Sequence, residues 1–214
     1  MGLDGRLWMG VVAALMLAGC GGSSHKTTTA APGAPATTAS TATTASVPTS
    51  GIGSRVLTSN ELPAGFTGSE PSVDNTTNGW LAESQTPSNQ VASETKRLTR
   101  LGFVAGASEN LTGPEGRSGV SIAEQFKTLG GARSELANEV KVFKATVATG
   151  YKAFAVTGIP GAIGLADTAS SAVNLAFTSG DYYYLVGAFV SAVTANSEAT
   201  IIAAASRLYQ RVHG

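Results

Sequence analysis

The stretch AVNLAFTSGDYYYLVGA, residues 172–188, decides the fold. Residues 172–178 and 182–188 are rich in aliphatic, aromatic and β-branched side chains, and Ser179-Gly180-Asp181 between them is turn-forming. Two such runs across so short a loop form a β-hairpin. Antiparallel strands can be joined tightly, whereas parallel ones need a long crossover. The sheet is therefore antiparallel here, and the rest of the chain reads outward from it.

Upstream of the hairpin, residues 151–157 read as a strand and Gly158-Ile159-Pro160-Gly161 as a turn, with Ile163 and Leu165 beginning a further strand. The spacing of Leu136, Val140, Phe143 and Val147 predicts a helix over 131–148, with Glu135, Glu139, Lys141 and Lys144 elsewhere on its surface. Before it, Val120, Ile122 and Phe126 alternate onto one face of a strand over 119–128. A second strand, 103–111, precedes it across the turn Gly113-Pro114-Glu115-Gly116. Residues 88–101 form a helix with Val91, Leu98 and Leu101 on one face; Thr86 can cap it, Pro87 suits its first turn and Gly102 can stop it. The segment 51–83, with Leu57, Phe66 and Trp80, reads as a loose entry that packs over an edge, with a short helical turn near Ser59.

Downstream, Asn196 or Ser197 caps a last helix whose stripe is Ile201, Ala205, Leu208, Tyr209 and Val212. Arg207 and Arg211, four residues apart, are expected to face solvent. The element order is thus α-β-β-α-β-β-β-α. It predicts an α+β fold: a mainly antiparallel sheet of about five strands with helices on one face.

The first fifty residues differ in kind. Arg6 precedes an apolar run, residues 7–17, which as a helix would be roughly 16 Å long, too short for a bilayer core of about 30 Å. That is the form of a secretion signal. It ends in Leu17-Ala18-Gly19-Cys20, with the only cysteine of the chain. An aliphatic residue, two small residues and a cysteine resemble the lipobox of bacterial lipoproteins. The resemblance implies cleavage before Cys20 and diacylglyceryl attachment to its thiol, two chains being what stable anchoring needs. Residues 21–50 follow, 27 of 30 being Thr, Ala, Ser, Pro or Gly. Such a segment cannot bury enough surface to offset its ordering entropy, so it reads as a tether, plain or bearing O-linked sugars. The expected layout is a signal at 1–19, a lipidated Cys20 and tether through 50, and one globular domain at 51–214. The element order together with this address resembles PsbP/Mog1-type folds among small actinobacterial lipoproteins, a resemblance that carries no functional residue.

The chemistry is defined largely by what is missing. Fourteen Lys and Arg balance fourteen Asp and Glu, which points away from nucleic acid. The two histidines are His25, in the tether, and His213, next to the last residue. A Ser-His-Asp hydrolase and a Cys/His zinc site therefore have no imidazole or thiol to use in the body. No catalytic residue, metal or cofactor is assigned. The glycines of Gly158-Ile159-Pro160-Gly161-Ala162-Ile163-Gly164 lack the spacing of a dinucleotide or phosphate loop, and read as a turn or as a bare backbone near a ligand.

Three residues stand as ligand-binding candidates. Glu124 shares the face of Val120, Ile122 and Phe126; buried there, its carboxyl would have a raised pKa and could act as an acid or ligand group. If the strand twists or ends early, it lies at the rim instead. Tyr182 and Tyr184, on one face of their strand, suit either a groove or a half-buried sheet.

The leading functional reading is a lipid-anchored, non-enzymatic binding or accessory domain on the outer side of the cell membrane, held there by the Cys20 lipid. Its partner would be another envelope protein or an apolar ligand. A carrier of a small apolar ligand or lipid between sheet and helices is the alternative, and a cell-wall-related enzyme a third class. A large apolar pocket favours the carrier, converging carboxylates the enzyme, and a flat exposed patch the binding module.

Overall fold

The computed structural model describes residues 51–146 and 151–213, without the side chains of 143–146 and 151. The signal, Cys20 and the tether lie outside the described residues, as do Val147 and the side chains of Phe143 and Lys144. Eight strands and four α-helices are described: β1 (Thr67–Gly68), β2 (Ser72–Asp74), α1 (Thr77–Glu83), α2 (Ser88–Leu101), β3 (Phe103–Thr112), β4 (Ser118–Phe126), α3 (Leu129–Thr146), β5 (Tyr151–Phe154), β6 (Ile163–Asp167), β7 (Ala172–Ser179), β8 (Tyr182–Phe189) and α4 (Ala195–His213). The fold is α+β.

All eight strands form one antiparallel sheet, in the order β1-β3-β4-β8-β7-β6-β5, with β2 also on β3. The β7–β8 hairpin is at its centre. Ser179 pairs with Tyr182, so the loop is only Gly180-Asp181. Gly180 has φ 60°, the positive value that the first position of a II′ turn requires. The hairpin's last strand then lies against β4, so two sequence-distant pairs of strands join at β4–β8.

Two features of the expected fold are corrected. The sheet has eight strands, not about five. β1 and β2 are two and three residues long and largely exposed, so they carry no apolar alternation to read. They sit in the segment expected to be loose, and β6 completes its strand through Asp167. Helices also cover both faces, not one. On one side α4 packs Ile201, Ala204, Ala205 and Leu208 against Val173, Leu175, Phe177, Tyr184 and Val186. On the other, Trp80 and Leu81 of α1, Leu98 of α2 and Ala132 of α3 meet Val120, Ile122, Phe126, Tyr183 and Leu185. The reason is visible in the strands: Ala172–Phe177 and Tyr183–Ala188 are buried at every position, the pattern of strands covered on both faces.

The helix ends follow local chemistry. Gly102, at φ 79°, ends α2 by donating to the carbonyls of Leu98 and Thr99. Thr86 does not cap α2; its hydroxyl lies 3.2 Å from that of Ser84. The cap of α4 is Thr194, not Asn196 or Ser197. Ser197 N donates to Thr194 Oγ1 at 3.2 Å while Thr194 N donates to Ser197 Oγ at 2.9 Å, a reciprocal pair of capping bonds.

The entry segment is lashed to α4. Val56 and Leu57 are buried in the α4-side core. Arg207 and Arg211 are exposed, as expected, but both are also engaged: Arg211 grips the Glu61 carboxylate through Nε (2.6 Å) and Nη2 (2.8 Å), and its Nη2 also reaches Val56 O at 2.6 Å. Arg207 donates to Glu61 O at 2.9 Å and Leu62 O at 3.2 Å. The two arginines therefore hold a backbone strap.

Candidate functional site

The site forms on the α1–α3 side of the sheet, and its parts are placed in sequence order. Asp74, at the end of β2, accepts from Thr76 N at 2.7 Å and from its hydroxyl at 2.8 Å; Thr76 in turn accepts from Gly79 N at 3.1 Å. These bonds start α1 and aim Trp80 at the sheet. There the ring lies over Gly106 of β3, where an added Cβ would be 2.4 Å from the indole. Gly106 pairs across the ladder with Glu124 of β4. With no side chain at Gly106 to hold it off, Trp80 reaches that carboxyl, and its Nε1 donates to Glu124 Oε1 at 2.7 Å.

Glu124 is buried and not at a rim: it is 8% exposed. It lines a cavity of about 80 Å³ bounded by Trp80, Leu98, Ile122, Tyr183 and Leu185, with half-buried Thr86 and Asn138 among its polar lining. Three more carboxylates turn into the same space: Glu94 from α2, and Glu135 and Glu139 from α3. Glu135 and Glu139, expected away from the apolar stripe, are buried. Arg97 is the one cation lining the cavity, and it is already committed. Its Nε donates to Glu94 Oε2 at 2.7 Å, and its Nη1 bonds Glu135 Oε2. That leaves Oε2 of Glu124 and Oε2 of Glu139 buried with no hydrogen-bond partner.

The electrostatics follow. Burial pushes Glu124 up to about 8, the charge of Glu135 adds to this, and the Trp80 bond and Arg97 oppose it. Burial raises Glu139 well above the ordinary carboxylate range, reinforced by Glu135 and Glu124. Glu135 is also raised by burial, with Arg97 pulling the other way. Burial works against the Arg97 charge, but Glu135 and Glu94 outweigh it and hold the guanidinium above its usual value. Burial and the neighbouring carboxylates raise Tyr183 as well, so it is neutral. The cavity thus holds one ion-paired group and two acids that each have one oxygen without a partner. Among the described residues no cluster of three His, Cys, Asp or Glu is arranged to hold a metal ion.

The three sequence candidates do not come together. Glu124 lines the cavity, but Tyr182 and Tyr184 are on the opposite face. Tyr184 stacks on Phe177 at 4.8 Å between ring centroids, and Tyr182 lies under the Arg55 guanidinium at 4.5 Å. Tyr183, between them, is the tyrosine that enters the cavity. Glu94, Glu135 and Glu139 were the residues missed. Their signal was an acid set inside an apolar stripe: Glu94 lies three residues after Val91 and four before Leu98, and Glu135 and Glu139 lie three and seven after Ala132.

No protein-family model matches the chain, and no curated protein matches it. Among solved structures it is similar to the extracellular domain of PknH from Mycobacterium tuberculosis, at 16% identity and a TM-score of 0.50, over 75% of this chain and 95% of that one. At that identity the likeness is one of fold. Among the described residues no helix is long and apolar enough to cross a membrane.

Proposed function

We propose that the chain is a lipid-anchored binding domain displayed outside the cytoplasmic membrane, with the carboxylate-lined cavity as its ligand site. The observation that carries the reading is the pair of orphaned oxygens, Glu124 Oε2 and Glu139 Oε2, in a cavity able to admit a small group. A buried polar group without a partner costs about 1–3 kcal/mol, and more when charged. A fold that only needed packing would put aliphatic residues there; a ligand that supplies the missing partners recovers the cost. The lipobox at Cys20 and the tether support the anchored part, and the fold shared with a kinase's extracellular domain supports the outward-facing part. The cavity is far below the roughly 300–1,000 Å³ of drug-sized ligand pockets, so it suits a small molecule or the tip of a larger one, and not a bulky apolar cargo.

Converging carboxylates favour a second reading, an acid–base enzyme. The un-ionised Glu124 beside the ion-paired Glu135 has the divided character of an acid and a base. Native mass spectrometry of the full chain extracted from its own membranes tests the binding reading. The expected result is a retained small adduct that Glu139→Gln protein lacks. Bare protein of identical mass from both, with no small molecule altering Trp80 fluorescence, would refute it, and turnover of an added ligand would move the assignment to the enzyme.

A further inference from the structure

The charge in the cavity identifies what it takes. Four carboxylates, Glu94, Glu124, Glu135 and Glu139, face one guanidinium, Arg97, and that cation is used up by two of them. The remaining two are each more than nine-tenths buried, line the cavity, and have one oxygen with no donor. In their ionised form both vacancies are acceptors, so a group that binds that form must donate, and it must be positive to keep the carboxylates ionised at this depth. A divalent metal ion is disfavoured, since among the described residues no group of three His, Cys, Asp or Glu is placed to hold one. A guanidinium is a broad plane with five donors, poorly matched to about 80 Å³ shared between two acceptors. An ammonium group is compact and carries three donors.

We infer that the cavity binds the terminal ammonium group of a primary amine, with Glu124 and Glu139 as its acceptors. This rests on the cavity being a ligand site, and it adds the ligand's class. Arg97, Glu94 and Glu135 hold the wall of the site. Trp80 fixes one Glu124 oxygen and leaves the other for the ligand. The groups facing the two acceptors are Glu94 and Arg97 from α2, Glu135 from α3 and Tyr183 from β8. Because burial raises both acceptors above the ordinary carboxylate range, Glu124 to about 8, entry of an ammonium ion displaces protons from them to solvent. Binding therefore releases protons and strengthens as pH rises, about tenfold per pH unit for each proton released.

The test is calorimetry of the full chain with n-butylammonium chloride, n-butanol and sodium butyrate, from pH 6 to pH 8, in buffers of different ionisation enthalpy. The expected result is that only butylammonium binds, that it releases protons, and that Glu139→Gln weakens it tenfold or more while near-ultraviolet circular dichroism stays native. Glu124→Gln serves where Glu139→Gln does not fold. Equal binding of butylammonium to native protein and to both variants would overturn the inference, as would binding without proton release. If butanol or butyrate binds and perturbs Trp80 while butylammonium does not, the amine class falls and the binding-site reading stands. If none of the three binds, the amine class again falls, and the native-mass experiment alone decides the site. A lysine-containing tripeptide and vesicles of phosphatidylethanolamine, run beside butylammonium, separate a peptide amine and a lipid headgroup from a free one.

Discussion

Trp80 and Glu124, 44 residues apart in sequence, share a buried hydrogen bond of 2.7 Å that passes over the bare backbone of Gly106. The bond holds one oxygen of a carboxyl that burial pushes up to about 8 from an ordinary 4.5. A folded pKa above the unfolded one means that the native state keeps a proton that the unfolded chain gives up. The resulting stabilisation is fully present below about pH 4.5 and is lost as pH rises towards 8. The slope is at most about 1.4 kcal/mol per pH unit for one proton. Glu124→Gln, which keeps the shape and cannot ionise, should flatten the fall in urea-unfolding free energy between pH 5 and pH 8. An unchanged slope in the variant would show that Glu124 is ionised in the folded protein.

Gly106 makes the Trp80 contact possible, so it is the second point to probe. Gly106→Ala puts a methyl 2.4 Å from the indole, and the contact must open. Overpacking of this kind costs about 1–3 kcal/mol. The expected readouts are that loss in stability and red-shifted tryptophan emission as the ring leaves its buried site. Native emission with full stability would mean that Trp80 is not held against β3.

How much of this was legible differs by element. The hairpin at 172–188 was, because its turn chemistry and its apolar runs agree. The helix at Ser88–Leu101 was too, because Pro87 and Gly102 bracket a regular stripe. β1 and β2 were not, since they are held by pairing with β3 and contain almost no buried residue. The two-sided covering of the sheet was present in the unbroken apolar runs of β7 and β8 but is easily taken for one-sided alternation. For the candidate site, strict strand alternation put Glu124 on the buried face, and only the full length of β4 excluded the rim position that the sequence left open. Glu135 and Glu139 were missed because acids on a helix are ordinarily solvated, and only the tertiary position of α3 turns them inward. Arg207 and Arg211 are exposed as the helix pattern implied, but the strap that they hold comes from residues 54–62, far away in sequence, and could not be read from that pattern.

The anchor makes a separate prediction. Cys20 is the only cysteine of the chain, so Cys20→Ser removes the only acylatable thiol. The expected outcome is release of the protein from membrane fractions, or retention with an uncleaved signal. A processed Cys20→Ser protein still in the membrane fraction would contradict the lipobox reading.

The last helix allows two kinds of binding force to be compared on one element. Leu208 is fully buried among Ile201, Ala204 and Ala205 against β7 and β8, and Leu208→Ala should cost about 2–5 kcal/mol. Three residues on, Arg211 is one-third exposed at its side chain, yet it satisfies both oxygens of a Glu61 that is 6% exposed, together with a backbone carbonyl. Arg211→Ala leaves Glu61 with only the Thr58 N–H on its Oε2 and takes the Arg211 donor from the Val56 carbonyl, a loss of about 2–3 kcal/mol. Arg207→Ala removes donors only to the carbonyls of Glu61 and Leu62 and should cost about 1 kcal/mol. The order of unfolding midpoints in urea should therefore be native, then Arg207→Ala, then Arg211→Ala close to Leu208→Ala. The arginine variants have a second signature: with the strap loosened, amides of residues 54–62 should exchange with solvent faster, while those of β7 and β8 keep their protection. Leu208→Ala, which weakens the core itself, should raise exchange in both places. If Arg211→Ala proves as mild as an exposed surface change and leaves exchange at 54–62 untouched, the entry segment is held by Val56 and Leu57 alone and the ion pair is decoration on an already packed strap.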